Sequence, residues 1–473
     1  MNDVRPWLAI VSALPPVVIG ASYVRIDADR LRRLAVVSSL LMLLAALVIA
    51  VRPGLHQALV TRPAGLIRID ALSSVLLPFA AALWLLTVAV TPRAALDRAG
   101  LRRTALATLV TLASFLTESA VALLLLSIAS VWTFLSALSD PAHRYQRRIA
   151  AAYLGCSLVL FTAGVGLGIW PDGRGTAVQT AGLWLIVISA LVRKGIVPFH
   201  AWVPEVFDHG RLWPAILFSA PQLGAYITVV LIVPRASPEM LRAIALLALG
   251  TAVYGAALAL VQTSARRACG YLFMSQSALV MAGLDCTSAG ALTGGLVVWL
   301  SAGLAFTGLA RAVLVLEARR GRLDLTTYHG GYERMPVLAI SFLAMGMACT
   351  GFPGTVGFVG QELLANGAVD AFPVMGFAIV ITSALTGLAI IRMYFSLFCG
   401  RSETRAHSAL QLGLTRREAW TFGALVVALI GFGLAPRRLV DSRFAASDQI
   451  LKIREAQGAA GNQKAQVRVF EAR

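Results

Sequence analysis

Apolar runs long enough to cross about 30 Å of hydrocarbon recur from one end of this 473-residue sequence to the other. In lipid every backbone N–H and C=O must be satisfied internally, so such runs are helices or the strands of a closed barrel. Barrel strands alternate apolar and polar residues, and these runs do not. The chain therefore reads as an all-α polytopic membrane protein. Candidate spans fall near 7–24, 34–51, 71–91, 103–116, 119–138, 149–170, 181–197, 212–234, 239–262, 268–284, 291–316, 336–350, 374–399 and 418–435, about fourteen in all. The first run lacks a basic leading region and a small-residue cleavage site, and is expected to be the first span.

The net charge is +18, and its distribution carries the meaning. Arg25, Arg30, Arg32 and Arg33 open a series of basic loops. It continues through Arg93/Arg98/Arg102/Arg103, Arg144/Arg147/Arg148, Arg266/Arg267, Arg319/Arg320/Arg322 and Arg401/Arg405/Arg416/Arg417. All fall in odd-numbered connections, whereas even-numbered ones hold few, such as Arg174 or Arg235. That placement orients odd loops to the cytoplasm of an inner membrane and leaves no separate patch for nucleic acid. The tail from Pro436 breaks the pattern: it should lie outside yet carries Arg437, Arg438, Arg443, Lys452, Arg454, Lys464, Arg468 and Arg473. Two readings stand: Phe444, Ile450, Leu451 and Ile453 lie along one face of an interfacial helix, or the tail is a solvated end. The five cysteines show no CxxC or cluster spacing, and no nucleotide or metal motif exists. No cofactor is expected, so any redox chemistry driving the chain belongs to other subunits.

The run Leu183–Val192 meets Arg193 and Lys194, then Gly195 and Pro198. Proline cannot continue a helix, and a charge near mid-bilayer costs about 2.5–3.5 kcal/mol on insertion scales. A lysine beside a break points to a polar cavity inside the bundle. A second interruption, GFPGTVGFVG at 351–360, precedes Gln361 and Glu362. Paired interrupted segments in corresponding halves point to inverted repeats around a pathway, although glycine and proline also mark plain loops. Lys194 is the first relay candidate, with snorkelling to an interface as its alternative. Glu118 is either its acidic partner or an external-loop acid, and Glu362 is the acidic end of the second break. Arg392, inside an apolar run, reads as an ion-pair partner. His200, with Glu205, Asp208 and His209, reads as a proton entry or as a cluster that satisfies the broken backbone.

ALVRKGIVPFHAWVPEVFDHGRLWPAILFSAPQLGAY resembles the signature of the antiporter-like subunits of respiratory complex I and of Mrp-type cation/proton antiporters. So do ALALVQTSARRACGYLFMSQSALVMAGL (257–284), Gly351–Leu364 and GLIRIDALSSVLL (65–77), a resemblance covering roughly residues 60–400. It implies a fourteen-helix subunit with two inverted five-helix repeats. Those would be 103–234 and 239–399, preceded by helices within 1–102 and followed by a last helix and basic tail in 400–473. It also implies proton or sodium translocation along buried charges and water, beside other membrane subunits. By position Lys194 matches the lysine of the first broken helix and Arg266 and Arg267 the basic pair after QT, while Gln361, which is neutral, falls where the family's terminal lysine or glutamate belongs, with Glu362 directly after it. The family's fifth-helix glutamate would fall near Ser127–Ser130, and its connecting lysine near Phe306; neither charge is present. Water could bridge the latter position if Ser301, Gly303, Thr307 and Gly308 leave a polar gap. Two functions compete. One is a translocating subunit; the other is a non-conducting structural or coupling subunit, for example the partner of a soluble inorganic-carbon-handling protein. An independent solute transporter is a third class.

Overall fold

The computed structural model describes residues 4–51, 68–169, 176–371, 373–400 and 413–471. Arg174, Arg401, Arg405 and the start of the 65–77 motif lie outside them, as do Arg473 and the side chains of Lys464 and Arg468. In order the helices are α1 (Arg5–Ala21), α2 (Ala28–Val51), α3 (Ala71–Val90), α4 (Arg98–Phe115), α5 (Ala120–Ala137) and α6 (Arg144–Ile169). Then come α7 (Thr176–Lys194), α8 (Trp202–His209), α9 (Leu212–Ser219), α10 (Leu223–Ile227), α11 (Pro238–Val261) and α12 (Ala265–Leu284). The last six are α13 (Ala289–Arg320), α14 (Pro336–Thr350), α15 (Val356–Ala371), α16 (Pro373–Phe398), α17 (Arg416–Leu434) and α18 (Arg437–Glu471). Among the described residues ten helical stretches are long and apolar enough to cross a membrane, counting Leu212–Ile232 as one; α1 and α14 are shorter apolar helices. This is a multi-pass membrane protein. Its perimeter is correspondingly apolar: Val37, Leu41 and Leu44 on α2, Phe377, Val380 and Phe395 on α16, and Trp420 and Val427 on α17 are all exposed.

Short polar residues start many of these helices by accepting the N–H groups that the first turn leaves free. Asp70 and Ser73 form a capping box on α3, Asp97 caps α4, Ser237 caps α11 ahead of Pro238, Ser288 caps α13, and Thr415 with Glu418 caps α17. The 32-residue α13 forms the axis of the bundle and touches α3, α9, α12, α14, α15, α17 and α18. Its contact with α15 is backbone to backbone. A Cβ at Gly294 would stand 2.3 Å from the Leu364 nitrogen, and one at Gly367 would stand 2.2 Å from that of Ala291. Glycine is what permits the approach.

The odd-numbered connections share one face and are laced together there. Arg98 donates to the carbonyls of Val24 and Ile26, and Arg211 pairs with Asp140 at 2.9 Å. Arg322 pairs with Asp208 at 3.0 Å, Arg319 with Glu418 at 2.6 Å, and Arg266 with Glu317 at 2.5 Å. The Ala142 N–H and the Arg211 guanidinium together hold the Asp140 carboxyl below its usual range. The parity read from the arginines is thus a parity of faces.

On the opposite face the basic tail is a helix. Arg443 is buried and donates to the Ala71 and Leu72 carbonyls at 2.5 and 3.3 Å, where α3 begins. One turn on, Ser447 donates to the Ala289 carbonyl of α13 at 3.2 Å; farther along, Arg454 donates to the Val233 carbonyl at 2.6 Å. Ala446 and Ile450 are buried on the same side of α18, while Phe444 is exposed. The tail is helical over the described residues, but Phe444 does not share the buried side with Ile450; helix ends account for the buried Arg443 and the half-buried Arg454.

Three breaks interrupt the bundle, where the sequence indicated two. After α7 the chain turns at Gly195 (φ 69°), and after α14 at Gly351 (φ 73°), in the left-handed region that glycine enters at little cost. The third lies inside the expected 212–234 span. Pro221 lacks an N–H, and Gln222 takes φ 52° between α9 and α10. A side chain stitches each break. Trp202 Nε1 donates to the Val192 carbonyl at 3.0 Å, Trp299 Nε1 to Pro221 at 3.2 Å, and Gln361 Nε2 to Cys349 at 3.2 Å. In lipid those carbonyls need such donors.

Candidate functional site

The first and third breaks bring Lys194 and Gln222 together. Lys194 ends α7, is 3% exposed, and donates from Nζ to Gln222 Oε1 at 2.8 Å. Its stem lies on Gly224, where a Cβ would stand 2.6 Å from Lys194 Cγ. The lysine is therefore buried against a neutral amide; it does not snorkel. Arg193 turns the other way, donating to Ser130 Oγ at 2.8 Å with its guanidinium 4.8 Å from the Phe218 ring centroid. Ser130 lies at the end of the Ser127–Ser130 stretch to which the resemblance assigns the family's fifth-helix glutamate. A cavity of about 20 Å³ lies there, lined by Arg103, Thr111, Ser130, Thr133, Trp213 and Leu223 among others. That is room for about one water. It runs from Arg103, near the odd face, to the residue after Gln222.

Other expected site residues lie elsewhere. Glu118 does not reach Lys194: it sits in the α4–α5 loop, partly exposed, and pairs with Arg68 at 2.6 Å. Arg392 is not in an ion pair among the described contacts. It donates to the Leu260 and Gln262 carbonyls and so caps the end of α11. Arg266 joins Glu317, and the Arg267 N–H meets the Ser264 cap at 3.5 Å. His200 stands edge-on to Tyr254, centroids 5.4 Å apart, away from Glu205, Asp208 and His209. Glu205 and Asp208 tie α8 to Gln146, Ser264 and Arg322, with His209 beside both carboxylates, and none of the three bonds the backbone of the break among the described contacts. Gln361 bridges Cys349 and Ser383, whose Oγ donates to it at 2.7 Å. Glu362 points outward from α15, in contact with Asn366 at 3.1 Å.

The polar gap expected in α13 is filled. A Cβ at Gly303 would meet Phe79 Cζ at 2.5 Å, and one at Gly308 would meet Met345 Sδ at 2.1 Å, so neighbouring side chains occupy that space. Phe306 packs with Phe207 and Phe273, ring centroids 5.8 and 5.3 Å away. Several buried charges escaped the sequence reading, Arg311 and Asp285 among them. Arg311 on α13 is 0% exposed and donates to Thr91 Oγ1 at 2.5 Å and Thr87 Oγ1 at 2.9 Å. Asp285, just after α12, is 2% exposed. Each was visible as a charge in or beside an apolar run.

The fold and these breaks define a class: a polytopic helical membrane protein with a buried lysine at a broken helix. A family model described as "NADH:quinone oxidoreductase/Mrp antiporter, TM" matches residues 112–386, more than half the chain, and the chain belongs to that family. NADH-quinone oxidoreductase subunit M of Pseudomonas aeruginosa is 29% identical over 273 residues, 54% of this chain and 52% of that protein. Subunit 14 of the Thermus thermophilus NADH-quinone oxidoreductase is 29% identical over 294 residues, 61% of this chain and 64% of its own. The chain thus spans about half the length of the curated relatives it matches, and somewhat more of the last. In fold the likeness is nearly end to end. A chain of the Mrp complex from Dietzia superposes with a TM-score of 0.82 at 18% identity, covering 95% of this chain and 97% of that one. A chain of respiratory complex I from Thermus thermophilus gives 0.79 at 20% identity, covering 94% and 99%.

Proposed function

We propose that this chain is a proton-translocating subunit, or a sodium-translocating one, of a multisubunit complex in an inner membrane. The observation that carries the reading is Lys194: an ammonium buried at a helix break, bonded to a neutral amide, with a small cavity beside Ser130 on one side and a buried acid on the other. The resemblance of the surrounding motif assigns the family's relay lysine to that position, and relatives named as quinone oxidoreductase subunits support the assembly. Glu362 supports it too, because an exposed carboxylate on α15 is costly against lipid and favourable beside another subunit. The fourteen-span, two-repeat architecture is part of the proposal. Helices α7 and α14 run from opposite faces to glycine-turned breaks, as an inverted pair would. The test is proton uptake by proteoliposomes holding the purified complex, wild type beside Lys194→Met.

Aromatic filling at Phe306 favours the competing reading, a structural or coupling subunit, for any route running sideways through α13. The translocating reading therefore confines the pathway to the half around Lys194. Thr307→Val, isosteric beside that plug, should leave flux and assembly unchanged, and a severe loss of flux would restore the lateral route. Orientation has its own test. A cysteine at Ser139, exposed on the odd face, should be shielded from a membrane-impermeant thiol reagent in intact cells, and one at Ser237 should label. The reverse pattern would invert the topology.

A further inference from the structure

Four carboxylates are buried among the described residues: Asp208, Asp285, Glu317 and Glu418. Three are accounted for, since Asp208 binds Ser264 and Arg322, Glu317 binds Arg266, and Glu418 binds Arg319. Asp285 alone has no hydrogen-bond partner on either carboxylate oxygen. Burying an acid without partners is expensive whenever it is charged, and such groups mark functional positions in membrane helices.

Contacts lead from Lys194 to this acid. The lysine stem rests on Gly224; one turn later Thr228 donates to the Gly224 carbonyl at 2.9 Å and lies 3.5 Å from Met281 Sδ. Met281 is one turn before Asp285 on the same side of α12. Beyond Asp285 lies a cavity of about 160 Å³ on the even-numbered face, lined by Pro238, Glu239, Arg242, Cys286, Thr287 and Met375 besides Asp285. It has room for several waters. The acid therefore sits between a buried lysine and a cavity on the far side of the bundle from the Arg103 cavity.

We propose that Asp285 is the proton acceptor on the exit side of Lys194. The step rests on the translocating reading given above. Lys194 and Asp285 are not hydrogen-bonded to each other, so one proton passes from the ammonium to the carboxylate through bridging water; nitrogen keeps the electron pair, leaving a neutral amine and a neutral carboxylic acid. The acid then releases its proton into the cavity, past Glu239 and Arg242, and Lys194 is recharged from the side of Ser130. Both charges vanish together in the transfer, so neither is left unbalanced inside the bundle. With α13 plugged, this gives the lysine an outlet without the missing connecting charge.

The experiment measures proton flux and assembly yield for Asp285→Asn, Asp285→Glu and Lys194→Met in the purified complex in proteoliposomes. Asp285→Asn should assemble normally and lose flux by at least about tenfold, within the range that one positioned proton-transfer group contributes. Asp285→Glu should keep a measurable part. Loss with Lys194→Met but wild-type flux with Asp285→Asn overturns the exit site and leaves the translocating reading standing. Wild-type flux in both overturns the two together. If Asp285→Asn fails to assemble, infrared difference spectra on stepping the outer pH decide. The protonated-carboxyl band should shift between wild type and Asp285→Glu, and an unshifted band overturns the assignment.

Discussion

Lys194→Met should abolish proton flux while the complex still assembles. Methionine keeps the length of the side chain and its packing on Gly224, so α7 and α10 have no reason to separate. The energetic change is a near balance. A buried charge is removed, which favours the fold, and Gln222 loses its donor, which costs about 1–3 kcal/mol. Flux should fall by about two orders of magnitude or more, the scale on which a single proton-transfer group acts. Lys194→Arg should recover little, because guanidinium does not release its proton and its planar fork does not fit against Gly224 as an ammonium stem does. Wild-type flux through Lys194→Met would remove the lysine from any pathway.

The second large effect concerns stability, and its sign runs against intuition. Arg311→Met should be nearly neutral, whereas Thr87→Val with Thr91→Val should destabilise the chain by about 3–5 kcal/mol, the cost of stripping a buried charge of its partners. Arg311 is 0% exposed, and its described acceptors are two threonine hydroxyls; Nε has none. Taking away the arginine leaves two hydroxyls, and Thr87 Oγ1 can still donate to the Leu83 carbonyl at 2.7 Å. Taking away the hydroxyls leaves a guanidinium in the bundle with nothing to receive its hydrogen bonds. Thermal unfolding in detergent should rank the variants in that order, and a less stable Arg311→Met would show that the arginine contributes packing the threonines do not.

Much of this was readable in the sequence, for a local reason. Helix existence follows from unbroken apolar length, and the breaks at 195–198 and 351–357 follow from glycine and proline that cannot continue a helix. Lys194 stood out because its burial follows from the run preceding it. Asp285 did not, since an acid between two spans looks like a loop residue until α11 and α16 are seen to pack beside it. Gln222 carries no charge, and its significance comes from a lysine 28 positions earlier. The interruption at Pro221 was masked because apolar residues flank it on both sides. The supposed gap in α13 failed for the converse reason: small residues at Gly303 and Gly308 make room, and Phe79, Met345 and Leu425 from distant helices fill it.

The α18 contacts also set an order of events. Arg443, Ser447 and Arg454 bind the ends of α3, α13 and the segment after α10, which are far apart in sequence and all precede α18. Those bonds cannot form until every earlier helix has been synthesised and inserted, so the bundle must first hold together without them. Closing α18 over the helix ends is thus a late check on the register of three separate segments, and a misplaced span would leave its arginines nothing to bind.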